Sequence, residues 1–129
     1  MPVDNVQFKQ LKAHTPAPIT FILTATKDVP KKLAHAKKKT IGIRVPSNPI
    51  AQALLEAMDE PILTSSLILP NRDDILDDPF EIEDLLGNQI DGLINVGIKT
   101  TKLTTIVDMT SSVPEVIRQG AANVDSLLL

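Results

Sequence analysis

The stretch VPSNPIAQALLEAMDEP, residues 45–61, constrains this chain more than any other. Proline fixes φ and lacks an N–H, so it is excluded from helix interiors and central strands but suits a first helical turn. Pro46, Pro49 and Pro61 therefore mark three places where regular structure must change. The run TIGIRV before Pro46 reads as a strand over residues 40–45, ended by that proline. Asn48 is a good helix N-cap, and Pro49 suits the first helical position. Ile50, Ala53, Leu54, Ala57 and Met58 recur at i, i+3, i+4, i+7 and i+8, which predicts a helix with one apolar face. Asp59 and Glu60 sit at the end where the helix dipole disfavours acids, and Pro61 bars extension.

The same punctuation divides the rest of the chain. Residues 3–12 read as a short helix with Val3, Val6 and Leu11 on one side and Phe8 off that stripe. Pro16 and Pro18 in HTPAP stiffen the chain into an extended form. ITFILTAT, residues 19–26, is rich in β-branched residues and predicts a buried strand. KDVPKKLAH has the makings of one helical turn capped by Asp28, with Pro30 early in it. PILTSSLIL, residues 61–69, predicts another strand, and PNRDDILDD a polar loop. Asp78 then caps a second helix, with Pro79 at its first position, Glu81 placed for a capping box and Gly87 at its end. Further strands are predicted at residues 90–97, 104–109 and 114–120, and the tail ends in three leucines that need a surface to pack against. This mixed order implies an α/β (α+β) open mixed sheet with helices on its faces.

Composition narrows the function. The 129 residues include three Phe, no Tyr, no Trp and no Cys. The core must be aliphatic, base stacking is a poor way for this chain to hold single-stranded nucleic acid, and thiolate chemistry and disulfides are excluded. His14 and His35 lack partners at ligand spacing, so a metal site has no support. No run of about 18 apolar residues is present, so a cytoplasmic protein without a membrane span is the expectation. The net charge of −3 hides an asymmetry: residues 1–50 carry nine Lys or Arg against Asp4 and Asp28, whereas residues 51–95 carry Arg72 alone against eleven acids. A basic half attracts phosphates, although two solvated faces of opposite sign explain the pattern as well.

Ligands on open α/β sheets bind beyond the carboxyl ends of strands, and helix N-termini favour anions. Arg44 at a strand end, followed by Ser47 and Asn48 at a helix start, fits an anion site; a plain capped strand–turn–helix fits the local pattern better. Hydroxyls cluster near other strand ends at Thr20, Thr64, Ser65, Ser66, Thr104 and Thr105. Arg118 is a second candidate anion clamp, because guanidinium offers two donors at once to a phosphate. Asp108 is placed either to orient a hydroxyl or metal, or to cap the turn at Thr110. No catalytic residue, catalytic triad, carboxylate pair or glycine-rich phosphate loop can be assigned.

TPAPITFILTATKDVPKKL, KKTIGIRVPSNPIAQALLEAMDEPILTSSLILP, TTIVDMT and VIRQG together resemble the YrdC family, its YciO branch most closely. The resemblance implies a twisted open sheet and a nucleotidyltransferase-like activity: threonylcarbamoyl-AMP synthesis from threonine, bicarbonate and ATP, toward threonylcarbamoyl-adenosine in tRNA. It implies ATP as a substrate with Mg2+ accompanying it, and no prosthetic group. Carried over by motif, Pro16, Pro18 and Thr20 line the substrate pocket, and Arg44, Ser66, Thr104 and Arg118 contact nucleotide. It also implies double-stranded RNA or tRNA as a partner, met by Lys31, Lys32, Lys37, Lys38 and Lys39.

Three departures bear on activity. Residues 1–129 correspond to a single partial domain without the family's N-terminal substrate segment and Lys-x-Arg pair. The family's Ser-x-Asn is Ser66-Leu67-Ile68, and its PGP turn is PAP, with Ala17 for Gly. Missing cations in an enclosed site remove transition-state stabilisation worth a few kcal/mol, about 100-fold in rate each. The chain alone is thus expected to be inactive. Two alternatives stand beside this: an RNA-binding module without catalysis, and an inert remnant that self-associates through an exposed sheet edge.

Overall fold

A computed structural model describes residues 5–98 and 101–125. The expected helix start at residue 3 and the leucine tail lie outside the described residues. In chain order the elements are α1 (Asn5–Ala13), β1 (Ile19–Thr24), a single 3-10 turn (Lys31–Leu33), β2 (Thr40–Ile43), α2 (Pro49–Met58), α3 (Pro79–Leu86), β3 (Thr105–Asp108) and β4 (Glu115–Arg118). The four strands form one open sheet in the order β2-β1-β3-β4. β1 runs parallel to β3, while β2 and β4 are antiparallel edge strands, so the sheet is mixed. The chain is a mixed α/β fold, and no described helix is long and apolar enough to cross a membrane.

Two compact units emerge. The first holds α1, α2 and the whole sheet; the second, Ile62–Lys102, holds α3. The core of the first follows from strand alternation. Ile19, Phe21 and Leu23 of β1 are buried together with Val107 of β3, Met109 and Val124, and Leu11, Ala17, Val116 and Ala122 pack against them. α1 meets this core through Leu11 and through Gln7, whose Nε2 donates to the Met109 carbonyl at 2.6 Å. Val6, expected on the packed stripe, is exposed, as is Phe8.

Thr105 is the one buried polar residue among those described. Its hydroxyl donates to the Ala122 carbonyl at 2.7 Å and accepts from the Gly120 and Ala122 amides at 3.0 and 3.1 Å. These bonds fold the segment after β4 back over the start of β3. Gly120 is essential to that approach: a Cβ there would stand 2.4 Å from the carbonyl oxygens of both Leu103 and Thr104.

The punctuation residues act largely as their chemistry dictates. Asn48 Oδ1 caps α2 by accepting from the Ile50 and Ala51 amides at 2.8 and 3.2 Å, with Pro49 next to it. Asp59 ends that helix in the left-handed region, φ 54°, which Asp tolerates better than most residues. Asp78 caps α3 through the Phe80 amide at 2.9 Å. Glu81 forms an ion pair with Arg72 at 2.7 Å rather than a capping-box bond. Asp28 makes no cap among the described residues; Pro30 precedes the 3-10 turn, and its carbonyl accepts from the Leu33 amide.

Two expected strands do not form. Residues 61–69 and 90–97 have no ladder partner among the described residues. In the first, the Leu67 carbonyl accepts from the Leu76 amide at 2.8 Å and the Ser66 carbonyl from the Ile68 amide at 3.1 Å, so the backbone bonds locally. The apolar stripe expected of α2 is present but uncovered: Ile50, Leu54 and Met58 are all exposed.

Candidate functional site

Residues opposite one another in a ladder share a face of the sheet. Thr20 lies beside Ile106 and Ile22 beside Asp108 in the β1–β3 pair; Gly42 lies beside Ile22, and Arg118 beside Ile106. Thr20, Ile22, Gly42, Ile106, Asp108 and Arg118 therefore share the face opposite to the one that buries Ile19, Phe21 and Val107. Apart from Gly42, which is exposed, they are half-buried. One face of the sheet is thus dry and the other mixed, with hydroxyl, carboxylate and guanidinium groups.

Three of the expected site residues meet on that second face. The Thr20 and Thr104 hydroxyls are hydrogen-bonded at 2.7 Å. Arg118 donates from Nε and Nη2 to the Thr104 carbonyl at 3.0 and 2.8 Å, and from Nη2 to the Thr104 hydroxyl at 3.2 Å. Whichever hydroxyl donates to the other, one O–H hydrogen of the pair is left for a further acceptor. Nη1 of Arg118 makes no hydrogen bond among the described residues, so one arm of the guanidinium also remains available. The fork is held in place before any guest arrives, which lowers the ordering cost of binding an anion.

Local sequence explains the meeting. In TTIVD adjacent threonines point to opposite faces, so Thr105 enters the core while Thr104 joins Thr20. Pro18 lacks an N–H but its carbonyl accepts from the Thr105 amide at 3.0 Å, which sets β1 against β3. Gly42 keeps the floor beside Thr20 low; a Cβ there would come within 3.2 Å of the Thr20 methyl. Gly42 and Gly120 support the site without having been candidates for it, and Thr105, one of the strand-end hydroxyls, supports it from within the core. A glycine inside TIGI is the kind of signal that marks such close approach.

The other expected residues are placed as follows. Arg44 follows Ile43, which pairs with Phe21, and precedes Val45, whose carbonyl accepts from the Ala17 amide at 3.0 Å. Its exposed guanidinium has no partner among the described residues. The helix start beside it offers an anion little: Asn48 takes two of its amides and Pro49 has none to give. Pro16 and Pro18 are exposed. Ala17 packs against the core and has no left-handed φ, so alanine in place of the family's glycine strains no backbone in PAP. Ser66 lies in the second unit, exposed, with its carbonyl accepting from the Ser65 hydroxyl at 3.0 Å. Asp108 caps the following turn, its Oδ1 accepting from the Thr110 amide and hydroxyl at 2.8 and 2.6 Å. Lys31, Lys32, Lys37, Lys38 and Lys39 are all exposed on the β1–β2 connection.

A family model for Sua5, YciO and YrdC, described as telomere recombination, matches residues 1–120. YciO of Escherichia coli K12, a protein described as uncharacterized, is 51% identical over 126 residues, which is 98% of this chain and 61% of that protein. A threonylcarbamoyl-AMP synthase of Neisseria meningitidis serogroup B is 33% identical over 66 residues, 51% of this chain and 34% of that enzyme. The crystal structure of E. coli YciO superimposes with a TM-score of 0.89 at 50% identity, over 98% of this chain and 61% of that one. P. abyssi Sua5 complexed with L-threonine gives a TM-score of 0.79 at 21% identity, over 93% of this chain and 35% of that one, a likeness of fold.

Proposed function

The chain belongs to the Sua5–YciO–YrdC family, and from that premise we propose that its hydroxyl–guanidinium face holds the phosphate end of a nucleotide, ATP, in a threonylcarbamoyl-AMP synthase-like reaction. One observation carries the reading: a half-buried arginine with two nitrogens fixed on Thr104 and a third free, next to a hydroxyl pair with a proton to give. Such a group suits the charge of an α-phosphate during adenylation better than it suits a neutral ligand. Exposed Arg44 at the end of β2 is the natural second cation for the remaining phosphates. Mg2+ would come with the triphosphate, since it is usually held through phosphate oxygens with few protein ligands. Among the described residues no group of three or more His, Asp or Glu side chains stands ready to hold an ion.

The family's relation to threonylcarbamoyl-AMP synthase rests on the meningococcal enzyme and on the Sua5 fold. The chain spans 61% of the length of E. coli YciO, so use of threonine and bicarbonate, and transfer to tRNA, are proposed for the whole protein. For the chain itself the expectation is nucleotide binding without turnover. Titration calorimetry with ATP and AMP tests this. Arg118→Gln should weaken both ligands about 10- to 100-fold, the usual worth of a charged hydrogen bond. Equal affinity in Arg118→Gln, or no binding by the unaltered chain, sinks the reading; pyrophosphate release from threonine, bicarbonate and ATP by the chain itself would show that catalysis needs no more than these residues.

A second reading has one observation of its own. Lys31, Lys32, Lys37, Lys38 and Lys39 are exposed together on one connection, and none forms an ion pair among the described residues. That suits the phosphates of duplex RNA or tRNA. Affinity for duplex RNA that does not fall with added salt, or is lacking at low salt, removes it.

A further inference from the structure

The connection that carries those lysines is organised by a histidine that neither reading uses. His35 Nδ1 lies 3.2 Å from the backbone nitrogen of Lys37 and 3.1 Å from that of Lys38. A backbone N–H can only donate, so Nδ1 must be the acceptor and the neutral ring carries its hydrogen on Nε2. The backbone of the same residue closes the turn. Its N–H donates to the Thr40 carbonyl and its carbonyl accepts from the Lys39 amide, both at 2.8 Å, while Ala25 donates to the Lys39 carbonyl at 2.9 Å. Lys39 sits at φ 53°, in the left-handed region that a lysine seldom adopts without surroundings that impose it. Ring and backbone of one residue therefore fix three consecutive lysines at the entrance to β2.

We propose that His35 is the positioning residue of this connection and makes it a pH-sensitive element. With Nε2 already protonated in the neutral ring, the next proton taken from solvent must go to Nδ1. The acceptor then becomes a donor that faces two other donors, and both amide bonds are lost. The turn is held while the ring is neutral and released when the ring takes up that proton. The strands that the connection joins, β1 and β2, carry no titratable side chain; the other charged residues of the connection itself are Lys27, Asp28, Lys31, Lys32 and the lysines at 37–39. The device stands whether or not those lysines meet a nucleic acid, because its readout is the turn itself.

The test is nuclear magnetic resonance on the full chain between about pH 8 and pH 5, the span in which histidine changes charge. At the upper end the His35 Nδ1 resonance should be that of an unprotonated nitrogen, and the Lys37 and Lys38 amides should be protected from exchange. His35→Asn supplies an acceptor with the same i+2 and i+3 reach, as in an Asx-turn, but no titration. Against it at each pH, the unaltered chain should lose amide protection at the same midpoint as the ring titrates. His35→Ala should show protection about tenfold lower than His35→Asn at every pH, the equivalent of one net hydrogen bond. A ring protonated on Nδ1 at pH 8, or amide protection in the unaltered chain that follows His35→Asn throughout, overturns the proposal. Should His35→Ala fail to fold, the comparison between the unaltered chain and His35→Asn decides alone.

Discussion

In the first unit, Ile19–Thr24 is paired on both sides, with β2 and with β3, and buries Ile19, Phe21 and Leu23 on one face. In the second, residues 62–69 and 90–97 are as rich in Ile, Leu and Val yet form no ladder among the described residues, and Leu63 is 80% exposed and Ile94 62%. The difference does not lie in intrinsic β propensity. It lies in whether a neighbouring backbone takes the N–H and C=O groups and whether a second layer covers the apolar side chains. β1 has both: parallel pairing to β3 gives it its partner, and Leu11, Ala17 and Val124 give it its cover. A strand is a relation between segments, and a segment read by itself holds only half of it.

The largest expected effect makes that contrast quantitative. Phe21, 1% exposed at the centre of the core, should cost about 3–5 kcal/mol when cut to Ala. Ile94→Ala removes a comparable apolar mass from the uncovered segment and should change stability by no more than about 0.5 kcal/mol. Urea unfolding followed by circular dichroism reads both. Similar losses for the two would mean that the second unit buries its apolar run in solution, and the contrast between the units would fall.

Elements announced by chemistry local to the chain were legible in the sequence. Asn48, Pro49, Asp78 and Pro79 fixed two helix starts because a cap needs only its own next three residues. The β1, β3 and β4 segments were legible because each combines β-branched residues with an abrupt stop. What the sequence withheld depends on distant partners. Nothing in TTIVD says which threonine faces inward until β1 and the segment after β4 are placed around it, and Thr104 and Thr105 then take opposite roles. Ser66 looked equivalent to Thr104 as a hydroxyl near a strand end, but its strand does not form. The meeting of Thr20, Thr104 and Arg118 joins residues 84 and 14 positions apart, which only the mixed sheet order brings into reach.

A smaller effect sharpens the comparison at the level of backbone approach. Gly120→Ala forces a methyl against two carbonyl oxygens 2.4 Å away, both in backbone that the sheet holds fixed. The cost should be about 1–3 kcal/mol, as for overpacking elsewhere, and Arg118 should lose its register on Thr104 with it. Gly92→Ala in the second unit meets nothing within 4 Å. It should be stabilising by up to about 1 kcal/mol, because alanine narrows the unfolded ensemble without a clash. Melting temperatures of the two variants check this; a destabilising Gly92→Ala would reveal packing around residue 92 in solution.

The smallest effect belongs to the one ion pair of the second unit among the described residues, Arg72 with Glu81 at 2.7 Å. The Glu81 carboxylate, by its hydrogen bond and then by its charge, pushes Arg72 above an already high ordinary value, and Asp74 adds to the push. A raised value for a cation means that its contribution is fully present below the unfolded value and is lost only as pH climbs through the folded one. For this arginine that window is strongly alkaline, so the pair gives no pH dependence between about pH 5 and 9. Both side chains are also largely in water, where the solvent screens the attraction and holding two long side chains together costs entropy. Arg72→Gln should therefore melt with the unaltered chain, at low salt and at high salt alike. A clear drop in melting temperature at low salt that vanishes on adding salt would show the pair holding α3 against the loop before it, and would place more of the second unit's stability in charge than its uncovered apolar segments suggest.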